Sequence, residues 1–358
     1  MNCRLDSDSS RNCQSQLTPR SFSAASARAR RIVAALALFA VAAAAVSLML
    51  GRYPISLAEA LAMLANLIVP QDPIWTDQQA TLFFNVRLPR VLLALLVGCC
   101  LATAGAAYQG TFQNPLVSPD ILGASQGAAF GAAVAILLGL SSAATSVFAF
   151  ASALITVLLV LLISSRARGN HMMVVVLAGV MVSSLFQAGV SYAKLVADPT
   201  DELADITYWL MGSLTGANMR DIGMVFPIML IGSATLFALR WRINILTMGD
   251  DEAATMGVNA RRTRIIVIIA ATLITAASVC VTGMIGWVGL VIPHLCRMLV
   301  GADYRRLIPA SMLMGAGFLL IVDDVARLAT TAEIPIGILT AFVGAPFFLY
   351  LITRKKKL

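Results

Sequence analysis

Charge is scarce in this chain. Only 12% of its 358 residues are Asp, Glu, Lys or Arg, while 59% are hydrophobic; soluble domains carry about 25% charged residues. A soluble globular domain is excluded. Lysine occurs only at Lys194 and at Lys355 to Lys357 and never follows glycine. No G-x-x-x-x-G-K-[ST] loop exists, so the chain binds no nucleotide in a P-loop of its own. His171 and His294 are the only histidines, far apart and without Cys or carboxylate at ligand spacing, which leaves no built-in metal site. Cys3, Cys13, Cys99, Cys100, Cys280 and Cys296 include no C-x-x-C, and the last four fall inside apolar runs; they read as small buried hydrophobes rather than a disulfide framework. No Ser-His-Asp set stands in a motif context. Asp323-Asp324 opens like the D-D-x-x-D of membrane prenyltransferases, but position 327 is Arg and no second acidic cluster faces it. No catalytic or cofactor-binding residue is assigned, and the chain is not read as an enzyme.

What the chain has is apolar sequence in lengths of 16 to 24 residues, where a helical membrane span needs about 20. The runs predict an all-α polytopic transmembrane bundle of ten spans: 32–50, 84–107, 121–140, 143–163, 172–192, 222–239, 265–281, 285–300, 307–329 and 336–352. Residues 1–31, Ser- and Arg-rich, read as a disordered tail, 32–353 as the membrane domain and 354–358 as a basic tail. The first run is longer than a signal-peptide core and is taken as an uncleaved span. Between spans, 56–69 reads as an amphipathic surface helix, and the polar segment 197–221 holds five acids and a short helix at 203–211.

The net charge of +8 does not point to nucleic acid, because the arginines sit in short clusters between apolar runs with no interleaved aromatics. That distribution orients spans instead. An even span number puts both termini on one side, and both are basic, so both are placed in the cytoplasm. This leaves Arg52, Arg87, Arg90, Lys194, Arg220 and Arg327 on the outer side. Arg87 and Arg90, flanking Leu88-Pro89, either face an acidic partner surface or snorkel to headgroups. Arg327 follows Asp323 by four residues and Asp324 by three, so an intrahelical ion pair accounts for at least one aspartate; the other is left for a translocation path. Gly123, Gly127 and Gly131 make two G-x-x-x-G spacings on one helical face, where another backbone can approach. Gly286, Gly289 and Pro293 are candidates for close contacts or hinges.

The inner segment 240–264 interrupts the apolar pattern with five arginines. Gly249 precedes Asp250, Asp251 and Glu252, which suit a helix's first turn, and Gly257 suits a left-handed helix end. The helix between them, 250–256, is too short to stand alone. Its face of Ala253, Ala254 and Met256 suits a groove in a partner. On these residues alone, a partner-docking helix and a capped solvated loop remain equally open.

Five segments resemble the FecCD-type permeases of type II ABC importers: RLPR at 87–90, GAAYQGTFQNPLVSPDILG at 105–123, GVNARRTR at 257–264, GMIGWVGLVIPHLCR at 283–297 and EIPIGILTAFVGAPFFLYL at 333–351. They cover roughly residues 32–353 in the family's order and spacing. The resemblance implies a subunit of the cytoplasmic (inner) membrane that passes a metal chelate, a ferric siderophore first and haem or cobalamin as alternatives. It implies a second permease copy or paralogue, two ABC ATPase subunits that bind ATP and Mg, and a periplasmic or lipid-anchored substrate-binding protein. It implies that residues 249–257 form the helix that couples to the ATPase, and that Arg87, Arg90 and Arg327 meet glutamates of the binding protein. The competing reading is a proton-coupled secondary transporter using Asp323 or Asp324.

Overall fold

Within a bilayer, backbone amides find no water, so a crossing segment must satisfy them internally. The computed structural model, which describes residues 19–51, 53–70, 72–167 and 171–353, is built accordingly, with helices and no strand among those residues. Helix α1 spans Pro19–Met49, α2 Leu57–Asn66, α3 Asp77–Leu82, α4 Leu88–Thr111, α5 Ala124–Leu137, α6 Ser142–Arg166 and α7 His171–Val196. Helix α8 spans Glu202–Met211, α9 Met219–Leu246, α10 Asp250–Thr255, α11 Ala260–Thr282, α12 Val288–Val300, α13 Tyr304–Leu328 and α14 Ile336–Thr353.

Among the described residues, seven helices are long and apolar enough to cross a membrane: α1, α3 running into α4, α6, α7, α9, α11 and α13. The expected ten runs are all helical, and the count of ten is approximate because three of them are short. Runs 121–140, 285–300 and 336–352 are represented by the shorter apolar helices α5, α12 and α14. The first run is cut by a 3-10 turn, Pro119–Leu122, and by Gly123 in a left-handed conformation, φ +80°. The second begins irregularly at 283–287, where Trp287 also has a positive φ of +70°.

Two further boundaries differ from expectation. Residues 19–31, read as disordered tail, are helical and continue into the first span; 1–18 and 354–358 lie outside the described residues. The second span starts at Asp77 rather than 84, through a π-helical turn, Phe83–Arg87. Pro89 is the local cause: a proline ring clashes with the carbonyl four residues back, here that of Asn85. The widened turn relieves this, with Leu88 N–H donating to Phe83 O, five residues back.

Helix α4 is the axis of the bundle, packed by α9, α11, α12 and α13. Small residues let backbones meet there. A Cβ on Gly98 would strike the backbone of Gly315 in α13, and one on Gly105 the backbone of Gly289 in α12. Gly127 and Gly131 of α5 play the same part against Thr156, Ser152 and Phe148 of α6. Gly123 stands at the cap of α5 rather than inside it, and a Cβ there would also meet Thr156 of α6, together with Ser183 of α7.

Candidate functional site

At the outer end of the bundle, Arg90 on α4 forks onto Asp323 of α13, with Nε 2.9 Å from Oδ2 and Nη2 2.8 Å from Oδ1. The same guanidinium reaches Glu333 in the α13–α14 connection at 3.0 and 2.9 Å. Glu333 in turn accepts from Thr215 Oγ1 at 2.6 Å. Arg90 and Asp323 are both buried, so Asp323 is tolerable only because Arg90 neutralises it, and Arg90 because Asp323 and Glu333 do so together. Glu333 is held below the usual carboxylate range: burial pushes it up, and the hydrogen bonds from Arg90 and Thr215 outweigh that.

Next to this cluster, Arg327 pairs with Asp324 one helical turn away and donates to Ser47 O at 2.7 Å and Leu50 O at 3.0 Å. Ser47 Oγ donates to Asp324 Oδ1 at 2.7 Å. Arg87 donates to Leu48 O at 2.9 Å, to Met49 O at 3.1 Å and to Tyr53 O. The last carbonyls of a helix have no partner within it. Here two arginines supply partners for the outer end of α1.

These placements bear on two expectations. The intrahelical pair is Asp324–Arg327, whereas Asp323 belongs to Arg90, which is distant in sequence. Arg87 and Arg90 are buried, at 3% and 8% exposure, and Arg327 is spent on Asp324 and α1. In the chain by itself the three donate to carbonyls at the end of α1 and to carboxylates, so docking to a partner would compete with these bonds.

A cavity of about 840 Å³ opens beside the cluster, between the α5–α6 turn, α8, the 213–218 connection, the end of α11 and residues 331–335. Asp205, Asp221 and Glu333 line it with Ser213, Thr215 and Asn218, and no Lys or Arg contributes. Its floor is tied by backbone: Ser213 N–H donates to Thr282 O at 2.7 Å and Ile336 N–H to Gly212 O at 2.9 Å. Gly286, expected as a packing or hinge glycine, has open space where a Cβ would be. Gly289 is tightly packed, with Pro119 Cδ 2.8 Å from that position, and Pro293 lies buried inside α12.

At the inner end, α10 runs Asp250–Thr255, one residue shorter than expected. Gly249 and Gly257 both take positive φ, +127° and +76°, and Gly257 ends the helix in the left-handed region as its sequence position suggests. Asp250 is held by a forked ion pair from Arg264 of α11, which keeps its carboxyl below the usual range. Ala253 is not on a free face. It is fully buried against Ile245, Leu246 and Val258, while Asp251, Glu252, Ala254 and Met256 are exposed. The exposed side is thus a small acidic-and-apolar knob, anchored at its back.

Sequence reasoning missed Glu333, Thr215 and Ser47. Glu333 carried a signal, as the one carboxylate between Asp324 and the chain's end. It also missed a polar chain beneath α10. Gln113 Nε2 donates to Leu246 O at 2.6 Å, Tyr304 N–H to Asn244 Oδ1 at 2.9 Å, and Arg297 Nη2 to Gln109 Oε1 at 2.9 Å and Tyr304 Oη at 3.2 Å. It links α9, and so α10, to α4, α12 and α13.

A many-span bundle with an open outer cavity, a protruding inner helix and no nucleotide loop is the architecture of a membrane transport subunit. Residues 37–354 match the FecCD transport family, and the chain belongs to it. It is 40% identical over 333 residues to the molybdate import permease MolB of Haemophilus influenzae, covering 91% of this chain and 96% of the relative. It is 42% identical over 273 residues to the cobalamin import permease BtuC of Halobacterium salinarum, covering 76% and 73%. A solved inward-facing transporter described as of metal-chelate type matches with a TM-score of 0.82 and 40% identity, over 91% of this chain and 100% of that one. The chain is therefore a multi-pass permease of the inner membrane, a type II ABC importer subunit and not an enzyme. Such a permease works with separate ATPase and substrate-binding partners.

Proposed function

We propose that this permease moves a metal chelate inward, a ferric siderophore before haem or cobalamin, as a pair with a second copy or a paralogue. Two ATPase subunits engage residues 249–257, and a periplasmic or lipid-anchored binding protein delivers the cargo. The observation that carries the cargo reading is the outer cavity. Its size, about 840 Å³, lies within the range of sites that enclose drug-sized ligands, far larger than a tetrahedral oxyanion. Its lining of carboxylates, hydroxyls and amide, with no cation, repels an oxyanion such as the one in the name of the Haemophilus relative. A neutral or cationic chelate rich in hydrogen-bonding groups suits it. ATP binding in the partners shifts the exposed knob of α10, and the bundle rocks between two discrete arrangements.

The proton-coupled alternative gains nothing from the geometry, since Asp323 and Asp324 are each gripped by an arginine and neither lines the cavity. The test is uptake by the purified complex in proteoliposomes, offered a ferric hydroxamate, haem, cobalamin or molybdate. ATP-dependent, vanadate-sensitive uptake of the ferric chelate is expected. Uptake of molybdate alone would remove the cargo reading, and uptake that stops when the proton gradient collapses would remove the energy source.

A further inference from the structure

Helix α2 is closed at its start by a capping box. Ser56 Oγ accepts from Glu59 N–H at 3.2 Å, and the Glu59 carboxylate accepts from Ser56 N–H at 2.7 Å. Glu59 also accepts from Gln79 Nε2 at 3.1 Å, so the only ionisable side chain of α2 is committed toward α3. On the same inner side, Ala60 and Met63 pack with Ile55 and Phe83, and Leu48 from the end of α1 joins them. The opposite side is wholly different. Leu57 and Leu61, four residues apart, stand exposed on one stripe, followed by exposed Leu67, Ile68 and Val69, with Ile68 at 85% exposure.

We propose that α2 and the turn after it lie in the outer headgroup region of the bilayer, with this apolar side against lipid. Position argues for lipid as the occupant. Helix α1 ends at Met49 and the next span begins at Asp77, so both flanks of α2 are at the outer boundary of the membrane. Ten residues make a helix about 15 Å long, half of the hydrocarbon core of about 30 Å, so α2 runs along the boundary and does not cross it. The wall of α1 formed by Leu38, Val41 and Val46 is likewise apolar and exposed, and Leu48 joins the end of that helix to the α2 cluster. Chemistry argues against an acidic protein partner: no Lys or Arg occurs from Tyr53 to Phe84. For the same reason the contact does not depend on anionic lipid, unlike that of basic amphipathic helices.

The test is a nitroxide label at Ile68→Cys, and separately at Leu61→Cys, in the assembled transporter in phosphatidylcholine nanodiscs. Cys3, Cys13 and Cys99 are replaced by alanine, and Asp201→Cys in the exposed outer connection is the control. Ile68 is so exposed that its substitution removes little packing, and retained ATPase activity checks assembly. The labels at 61 and 68 should collide several-fold more often with oxygen than with a water-soluble nickel chelate, the reverse of the label at 201. Adding phosphatidylglycerol should leave the values unchanged. Nickel collision at 68 equal to that at 201 would overturn the proposal by placing the face in water. Shielding from both reagents would overturn it by placing the face under protein.

Discussion

Arg90 and Asp323, 233 residues apart in sequence, meet in a forked pair with side chains only 9% and 1% exposed. Breaking such a pair leaves an uncompensated buried charge, which costs about 3–5 kcal/mol. Arg90→Gln should lower the unfolding midpoint of the detergent-purified protein markedly, and Asp323→Asn less, because Arg90 then keeps Glu333. The double change Arg90→Met with Asp323→Leu should recover part of the Arg90→Gln loss, since Glu333 loses its cation but keeps Thr215. If the double variant is as unstable as Arg90→Gln, the pair does not act as a unit.

The two alanines of α10 should behave differently. Ala254→Arg alters an exposed position and should reduce ATP-driven uptake at least about tenfold, equivalent to about 1.4 kcal/mol of coupling, without loss of folded protein. Ala253→Arg forces a charge into the cluster of Ile245, Leu246 and Val258 and should lower the yield of folded protein itself. Parallel uptake, ATPase and size-exclusion measurements separate the two.

The pH response of the inner loop follows from Asp250. Arg264 holds its carboxyl low, and a carboxyl lowered in the folded state contributes stability above its unfolded value of about 3.9, lost as pH falls through the folded value. A spin label at Met256→Cys should therefore report constant mobility from neutral pH to about pH 5 and a rise only below about pH 4. In Arg264→Gln the mobility should be high throughout and flat with pH.

Gly105 and Gly289 touch backbone to backbone, so neither side can yield as a flexible side chain would. Gly105→Ala should separate α4 from α12 and destabilise by about 1–3 kcal/mol, the usual cost of overpacking. Gly286→Ala, with open space at its Cβ position, should be close to neutral. Thermal unfolding of the two variants side by side checks the contrast.

The polar chain beneath α10 predicts a loss of coupling rather than of fold. Tyr304→Phe removes the hydroxyl that accepts from Arg297 but keeps the ring and the backbone donor to Asn244. It should cost only about 1 kcal/mol of stability. The cargo moved per ATP hydrolysed should fall, because Arg297 then holds α4 but not α13. An unchanged ratio would make this chain a packing feature only.

Much of the fold was legible because lipid imposes its rules locally. Apolar length gives the spans, amphipathic patterning gives α2, and acid-then-glycine order gives α10. The misreadings share a physical origin. Arg87 and Arg327 look like surface charges in sequence, and only the folded bundle brings the carbonyl end of α1 to them. Asp323 has a candidate partner four residues away, and the actual one lies across the bundle on α4. Gly123 fits the spacing of Gly127 and Gly131, but the 3-10 turn before it places it outside their helix. Ala253 and Ala254 are chemically identical neighbours, and only the packing of Ile245 and Leu246 separates their roles.

The double capping of α1 sets an order on biogenesis. A ribosome delivers Arg87 39 residues after Leu48, so its hold on the first helix is available early. Arg327 arrives 277 residues after Leu50, after α2 to α12 have all been synthesised. Until then the outer carbonyls at Ser47 and Leu50 lack that partner, and α1 is fully secured only after the helices that follow it up to α13.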